Sequence, residues 1–142
     1  MTEGKYQIIL VPVSECSAVW KDVKGLLAPA IRASGGRWQP EYVLVALVSG
    51  RQNLWVALDE ENNVIGAMTT EISSYPEKRM LAIHFLGGID FDGWFKQMLA
   101  AITEFAIVNQ CDGLECNARK GFWKWFKDVE FKQTSVFYEL KL

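Results

Sequence analysis

The chain has 142 residues, half of them hydrophobic and 13% aromatic, with six tryptophans and a formal net charge of −2. That length suits one domain, residues 1–142, around one substantial core, and the composition excludes a disordered chain. The small net charge gives no general support to nucleic acid or a membrane surface as partner, and apolar runs such as Val43 to Val48 are too short to span a bilayer.

Met1 to Lys5 lacks the charged-then-apolar pattern of a leader. Cys16, Cys111 and Cys116 form no CxxC pair and there is a single histidine, so no metal-ligand set is spaced in the chain. An odd number of such cysteines predicts reduced, buried thiols and a cytoplasmic setting.

Tyr6 to Val13 is rich in β-formers and reads as a first strand. Ser14 is placed to cap a helix in which Val19, Val23, Leu26, Leu27, Ala30 and Ile31 recur at helical spacing, until Ser34-Gly35-Gly36 ends it. Pro40 and Gly50 punctuate a second, short helix. Leu54 to Leu58 and Val64 to Ser73 read as a hairpin around an acidic turn in which Asn63 accepts the left-handed backbone. Ser74 to Glu77 makes the next turn, and Arg79 to Leu86 a further strand.

A long amphipathic helix follows from Asp92, which is placed to cap its first turn, to Asn109, with Phe95, Met98, Leu99, Ile102, Phe105 and Ala106 as its stripe. Cys111 to Asn117 reads as a short strand, Arg119 to Val129 as a helix with Phe122, Trp125, Phe126 and Val129 on one side, and Thr134 to Leu142 as a final strand. The order β-α-α-β-β-β-α-β-α-β predicts an α/β fold with a mixed, mostly antiparallel sheet flanked by helices.

This order resembles the Gcn5-related N-acetyltransferases (GNAT). Leu54-Trp55-Val56-Ala57 with Val64-Ile65-Gly66-Ala67 is similar to the family's second and third strands. Phe105-Ala106 followed by Cys111-Asp112-Gly113-Leu114-Glu115 is similar to the end of its third helix and its fifth strand. Trp125-Phe126-Lys127-Asp128-Val129-Glu130-Phe131 is similar to its L-Y-x-K-x-G-F. Arg119-x-Gly121-Phe122-x-Lys124, Tyr138-Glu139 and the turn Leu86-Gly87-Gly88-x-Asp90-x-x-x-Trp94 also resemble small GNAT-like proteins of tailed bacteriophages.

The resemblance implies transfer of an acyl group from acetyl-CoA to an amine of a small molecule or protein. It implies that the pantetheine arm lies where the fourth strand splays from the fifth, and that amides at the following helix N-terminus bind the pyrophosphate. Phe85, Leu86, Gly87, Gly88, Gly93 and Trp94 fall in that region, and Asn117 stands close to the family's asparagine. The family's Q/R-x-x-G-x-G/A falls on Asp90 to Phe95, where only Gly93 agrees. Aspartate beside a diphosphate is repulsive, and Phe126 stands where many members carry a proton-donating tyrosine. The alternative for this turn is structural, with glycines that relieve strain and a Trp94 that seals the core.

Two residues qualify as a base for deprotonating an amine. His84 lies on the fourth strand, in line with Met80, Ala82 and Leu86, and Glu71 on the third. Counting from a turn centre near residue 77 pairs 71 with about 83, so the two are placed to approach each other. Their plainer readings are a histidine at a core edge and an exposed strand carboxylate.

Trp20, Trp38 and Tyr42 line an acceptor groove or simply pack in the core. Arg119, Lys120, Lys124, Lys127 and Lys132 form either a solvated face or a contact for a phosphate or an acidic partner. One of Trp123 and Trp125 is expected at the surface. Two functional classes follow. One is an acetyl-CoA-dependent acyltransferase. The other is a non-catalytic GNAT-fold binding or structural protein, a homo-oligomer or a bacteriophage virion or assembly component, which if phage-encoded is placed in the host cytoplasm or the virion.

Overall fold

A computed structural model describes residues 5–142. Strand β1 is Gln7–Val11, followed by α1 at Cys16–Arg32 and α2 at Pro40–Val48. Strands β2, Asn53–Leu58, β3, Val64–Ser74, and β4, Arg79–Gly88, form a meander. Helix α3, Phe91–Val108, leads to β5, Gly113–Cys116, and to the short helix α4, Trp123–Phe126. The sheet order is β1-β2-β3-β4-β5, antiparallel throughout except for the parallel pairing of β4 with β5. This is the expected mixed sheet.

Each face of the sheet carries a core. On one, Trp55, Met68, Leu81, Ile83 and Leu86 meet Trp94, Phe95, Met98 and Ile102 of α3. On the other, Leu54, Val56, Ala67 and Phe85 meet Val23, Leu27 and Ile31 of α1 and Val43 and Leu47 of α2. The α3 residues follow the helical repeat, so one stripe meets one sheet face.

Trp94 is fully buried and donates its indole N–H to the carbonyl of Ile89 at 2.8 Å. It lies over Gly66, where a Cβ would run into the indole ring. Gly88 pairs with Gly66 and has φ 149°, and a Cβ there would strike the Ile65 carbonyl. A side chain at Gly87 would likewise strike the Leu26 carbonyl of α1.

Several local expectations are corrected. Thr134–Leu142 is not a strand. Its apolar side chains at Val136, Phe137, Tyr138, Leu140 and Leu142 are exposed, and its ties to the body include Arg37, which pairs with Glu139 at 2.6 Å and lies over the Phe137 ring. Propensity makes a strand only when a neighbour accepts its hydrogen bonds, and among the described residues β4 is the only strand paired with β5. The helix expected over 119–129 is a 3₁₀ turn at Lys120–Phe122, α4, and a second 3₁₀ turn at Lys127–Val129, because aromatic packing fixes it turn by turn.

Ser14 lies in a 3₁₀ turn before α1 and makes no cap bond. The N-cap of α3 is Asp90, not Asp92, and Asn62 rather than Asn63 takes the left-handed backbone. Trp123 and Trp125 are both half-buried, so neither stands free at the surface. Tyr42 is 63% exposed, outside any core. Of the thiols, Cys16 is buried and Cys111 and Cys116 are half-buried.

Gly66→Ala is expected to lower the unfolding free energy by about 1–3 kcal/mol, because Trp94 must leave its seat. Gly25→Ala, in the exposed interior of α1 with nothing within 4 Å of the new methyl, is expected to raise it by about 0.5–1 kcal/mol. Urea titration of both variants compares the two sites.

Candidate active site

The site is built on an irregularity in β4. Thr69 pairs with Phe85 and Thr70 with Ile83, which leaves His84 as the extra residue of a β-bulge. The bulge breaks the side-chain alternation that simple counting assumes. Leu86 therefore joins the α3-side core with Leu81 and Ile83, while His84 lies with Phe85 and Trp38 on the α1–α2 side. His84 and Leu86 do not share a face. The buried Thr69 hydroxyl accepts the Phe85 N–H at 3.1 Å, so the interrupted ladder does not strand a buried donor.

The two candidate bases meet beside this irregularity, as diagonal neighbours across β3 and β4. Glu71 is registered opposite Ala82, and its Oε1 lies 2.9 Å from Nε2 of His84. Both side chains are mostly buried yet still reach solvent, at 20% and 30% exposed. Arg51 Nε donates to the other Glu71 oxygen at 3.3 Å, and the Arg51 guanidinium lies 5.8 Å from the Trp38 ring centroid. The Trp38 ring stands 6.3 Å from the imidazole and edge-on to Phe85 at 5.7 Å. With Glu71 ionised, a neutral imidazole places its proton on Nε2 and leaves the Nδ1 lone pair free.

Glu115 of β5 is registered opposite Ala82 from the other side, so it shares the face of Glu71 across that small side chain. It accepts the Tyr75 O–H at 2.6 Å, a bond that raises the tyrosine pKa above its ordinary value. Sequence reasoning placed Tyr75 in a turn and missed Glu115 and Arg51. Only a register for both edges of β4 reveals this row.

Pairing of β4 with β5 stops at Ile83 and Cys116, while β4 runs on to Gly88. His84 to Gly88 therefore have no β5 partner, and the strands part at the histidine. Phe85 and Leu86 are buried there on opposite faces. Asn117 follows β5 as an exposed residue at the mouth of the gap. Burial against the α3-side core pushes the Cys116 thiol up to about 12, which makes it a poor nucleophile.

Only Ile89 and Asp90 join β4 to α3. Asp90 adopts a left-handed conformation at φ 50°, and its carboxylate accepts the Tyr6 O–H, which raises the Tyr6 pKa. Gly93 sits beneath that pair: a Cβ there would strike the Asp90 carboxylate and lie 2.8 Å from the Tyr6 ring. Asp92 accepts the Trp125 indole N–H. Phe91 stacks on Phe95 at 4.6 Å and meets Trp125 at 4.7 Å and Phe122 at 5.6 Å. Phe126 is buried between Phe95 and Phe131.

Arg119 and Lys124 of the basic cluster lie over the Phe122 and Trp125 rings. A cavity of about 200 Å³ beside the helix start is lined by Asp92, Phe95, Lys96, Trp125 and Asp128. A larger one, about 530 Å³ and lined by Leu99, Thr103, Ile107 and Val129 among others, is on α3, across the sheet from His84, and does not serve this chemistry. Among the described residues no cluster could hold a metal ion, and no helix is long and apolar enough to cross a membrane.

Neither a protein-family model nor a curated protein matches the sequence. Solved structures do. A ribosomal-protein-alanine N-acetyltransferase from Brucella melitensis biovar Abortus 2308 aligns over 96% of this chain and 99% of its own, with TM-score 0.73 and 15% identity. An aminoglycoside acetyltransferase from an uncultured soil metagenomic sample aligns over 96% and 98%, with TM-score 0.72 and 10% identity. A predicted acetyltransferase from Clostridium acetobutylicum, whose structure contains acetyl-CoA, aligns over 96% of both chains, with TM-score 0.69 and 16% identity.

The chain has the GNAT fold. At these identities the likeness is one of fold, and fold does not assign a reaction.

With its pKa near 12, Cys116 is expected to resist a thiol-modifying disulfide reagent at pH 8 in the native protein and to react once urea exposes it. The thiolate is the reactive form, and its fraction at pH 8 is about a thousandth of that of an ordinary thiol. Mass spectrometry of the modified peptides gives the site-by-site answer.

Proposed function

We propose that this protein is an acyltransferase that moves an acyl group from a pantetheine thioester to an amine. The observation that supports it is the Glu71–His84 pair at 2.9 Å, standing where β4 leaves β5. The gap fits a pantetheine arm: His84 to Gly88 lack a β5 partner, so an extended amide chain can lie beside them. When bound, the thioester supplies the acyl carbon, which gains a C–N bond and loses its C–S bond, so that a thiol leaves.

The protein's own residues manage the proton. An amine needs a free lone pair to react, and Nδ1 of His84 takes the ammonium proton. Glu71 holds the opposite edge of the ring and stabilises the imidazolium that results. Arg51 fixes the carboxylate, and Trp38 walls the imidazole on the α1–α2 side. No tyrosine stands at Phe126 to protonate the leaving thiolate, so in this reading the second proton, which the nitrogen sheds as the amide forms, reaches the thiolate through solvent.

A second reading, a non-catalytic GNAT-fold binding protein such as a component of a phage particle, draws support from Phe126, which is locked in an aromatic stack with no proton to give.

A thiol-release assay with acetyl thioesters and a panel of primary amines tests the first reading. His84→Ala is expected to lower kcat about 10²–10⁴-fold with thioester binding unchanged. Failure of every amine to release thiol above the hydrolysis background removes the acyltransferase reading and leaves the binding protein.

A further inference from the structure

The two halves of the cofactor site disagree. The parting of β4 from β5 suits a neutral pantetheine arm, whereas the start of α3 opposes a diphosphate. A helix N-terminus attracts anions through its free amides and its dipole. Here Asp90 and Asp92 stand at that end, each already bound to an aromatic donor, Tyr6 and Trp125. The connection from β4 is only Ile89 and Asp90, too short to wrap a diphosphate, and Gly93 is covered by Asp90 and Tyr6. Phe91 closes against Phe122 and Trp125, filling the space between α3 and α4. The small cavity that remains is lined by two aspartates and one lysine. The neighbouring cations Arg119, Lys124 and Lys5 are each engaged at a ring face, of Phe122, Trp125 and Tyr6 respectively.

We infer that the acyl donor is a pantetheine-type thioester whose recognition stops short of the diphosphate, so that the nucleotide end of acetyl-CoA adds no affinity. This rests on the acyltransferase reading of the Glu71–His84 site and narrows the donor's chemical class. The transfer is balanced as before: the acceptor ammonium loses one proton to His84, the acyl carbon exchanges sulfur for nitrogen, and the second proton shed by the nitrogen reaches the departing thiolate through solvent, so that the pantetheine leaves as a thiol.

Calorimetry at low ionic strength with S-acetyl-pantetheine and with acetyl-CoA tests it. Asp90→Asn and Asp92→Asn keep an oxygen for Tyr6 and Trp125, so the double variant is expected to fold, which circular dichroism checks. In the wild type, S-acetyl-pantetheine is expected to bind at least as tightly as acetyl-CoA. In the double variant, acetyl-CoA affinity is expected to rise about tenfold as two repulsive charges within a few ångströms are removed, and S-acetyl-pantetheine affinity to stay unchanged. Acetyl-CoA binding tenfold tighter than S-acetyl-pantetheine in the wild type overturns this inference and leaves the acyltransferase standing. Silence with both thioesters overturns both.

Discussion

The bulge at His84 is the constraint on which the site depends. One extra residue in β4 keeps Phe85 on the α1–α2 side beside His84, sends Leu86 to the α3 side, and marks the point beyond which β5 no longer pairs. A regular ladder would have put residue 84 in simple alternation with 82 and 86. The irregularity persists because Thr69 is buried opposite it and accepts the Phe85 N–H. An unpaired amide at that depth would cost about 1–3 kcal/mol, so a hydroxyl on β3 holds open a feature of β4. Bulges recur beside active sites for this reason: they aim a side chain and end a pairing in one step.

The second organising element is the seat of Trp94. Its indole lies over Gly66, bonds to Ile89, and brings the first turn of α3 down onto the sheet. A short connection follows, and with it the left-handed Asp90 tied to Tyr6. The aromatic contacts of Phe91, Phe122 and Trp125 then close the space between α3 and α4. Packing and electrostatics act together here. The residues that make the helix start stable are the ones that make it unwelcoming to a polyanion.

Much of the fold was legible from periodicity. Helical spacing from Val19 to Ile31 and from Phe95 to Ala106, and the acidic turn between Leu58 and Val64, gave the helices and the hairpin within a few residues. Thr134 to Leu142 was misread because alternating β-formers specify a strand only if an edge accepts them. The helix over 119–129 was misread because its apolar positions serve an aromatic cluster rather than a continuous helical stripe. In the site, counting from the turn brought Glu71 near His84, but the face shared by His84 and Leu86 was wrong by the one residue of the bulge. Glu115, Tyr75 and Arg51 carried no sequence signal, since their proximity to the site exists only across strands distant in the chain.

By itself the sequence determined the order of elements, the sheet type, the two carboxylate and imidazole candidates, and the unfavourable charges at the start of α3. Those properties are local: they follow from side-chain periodicity, turn chemistry and formal charge. The tertiary structure decided that Leu86 leaves the face of His84, that Glu71 holds the imidazole, where β4 and β5 part, and that Asp90 and Asp92 are bound to Tyr6 and Trp125. Each of these depends on strand register or on contacts between residues far apart in sequence, and register is fixed by the packing of both sheet faces at once.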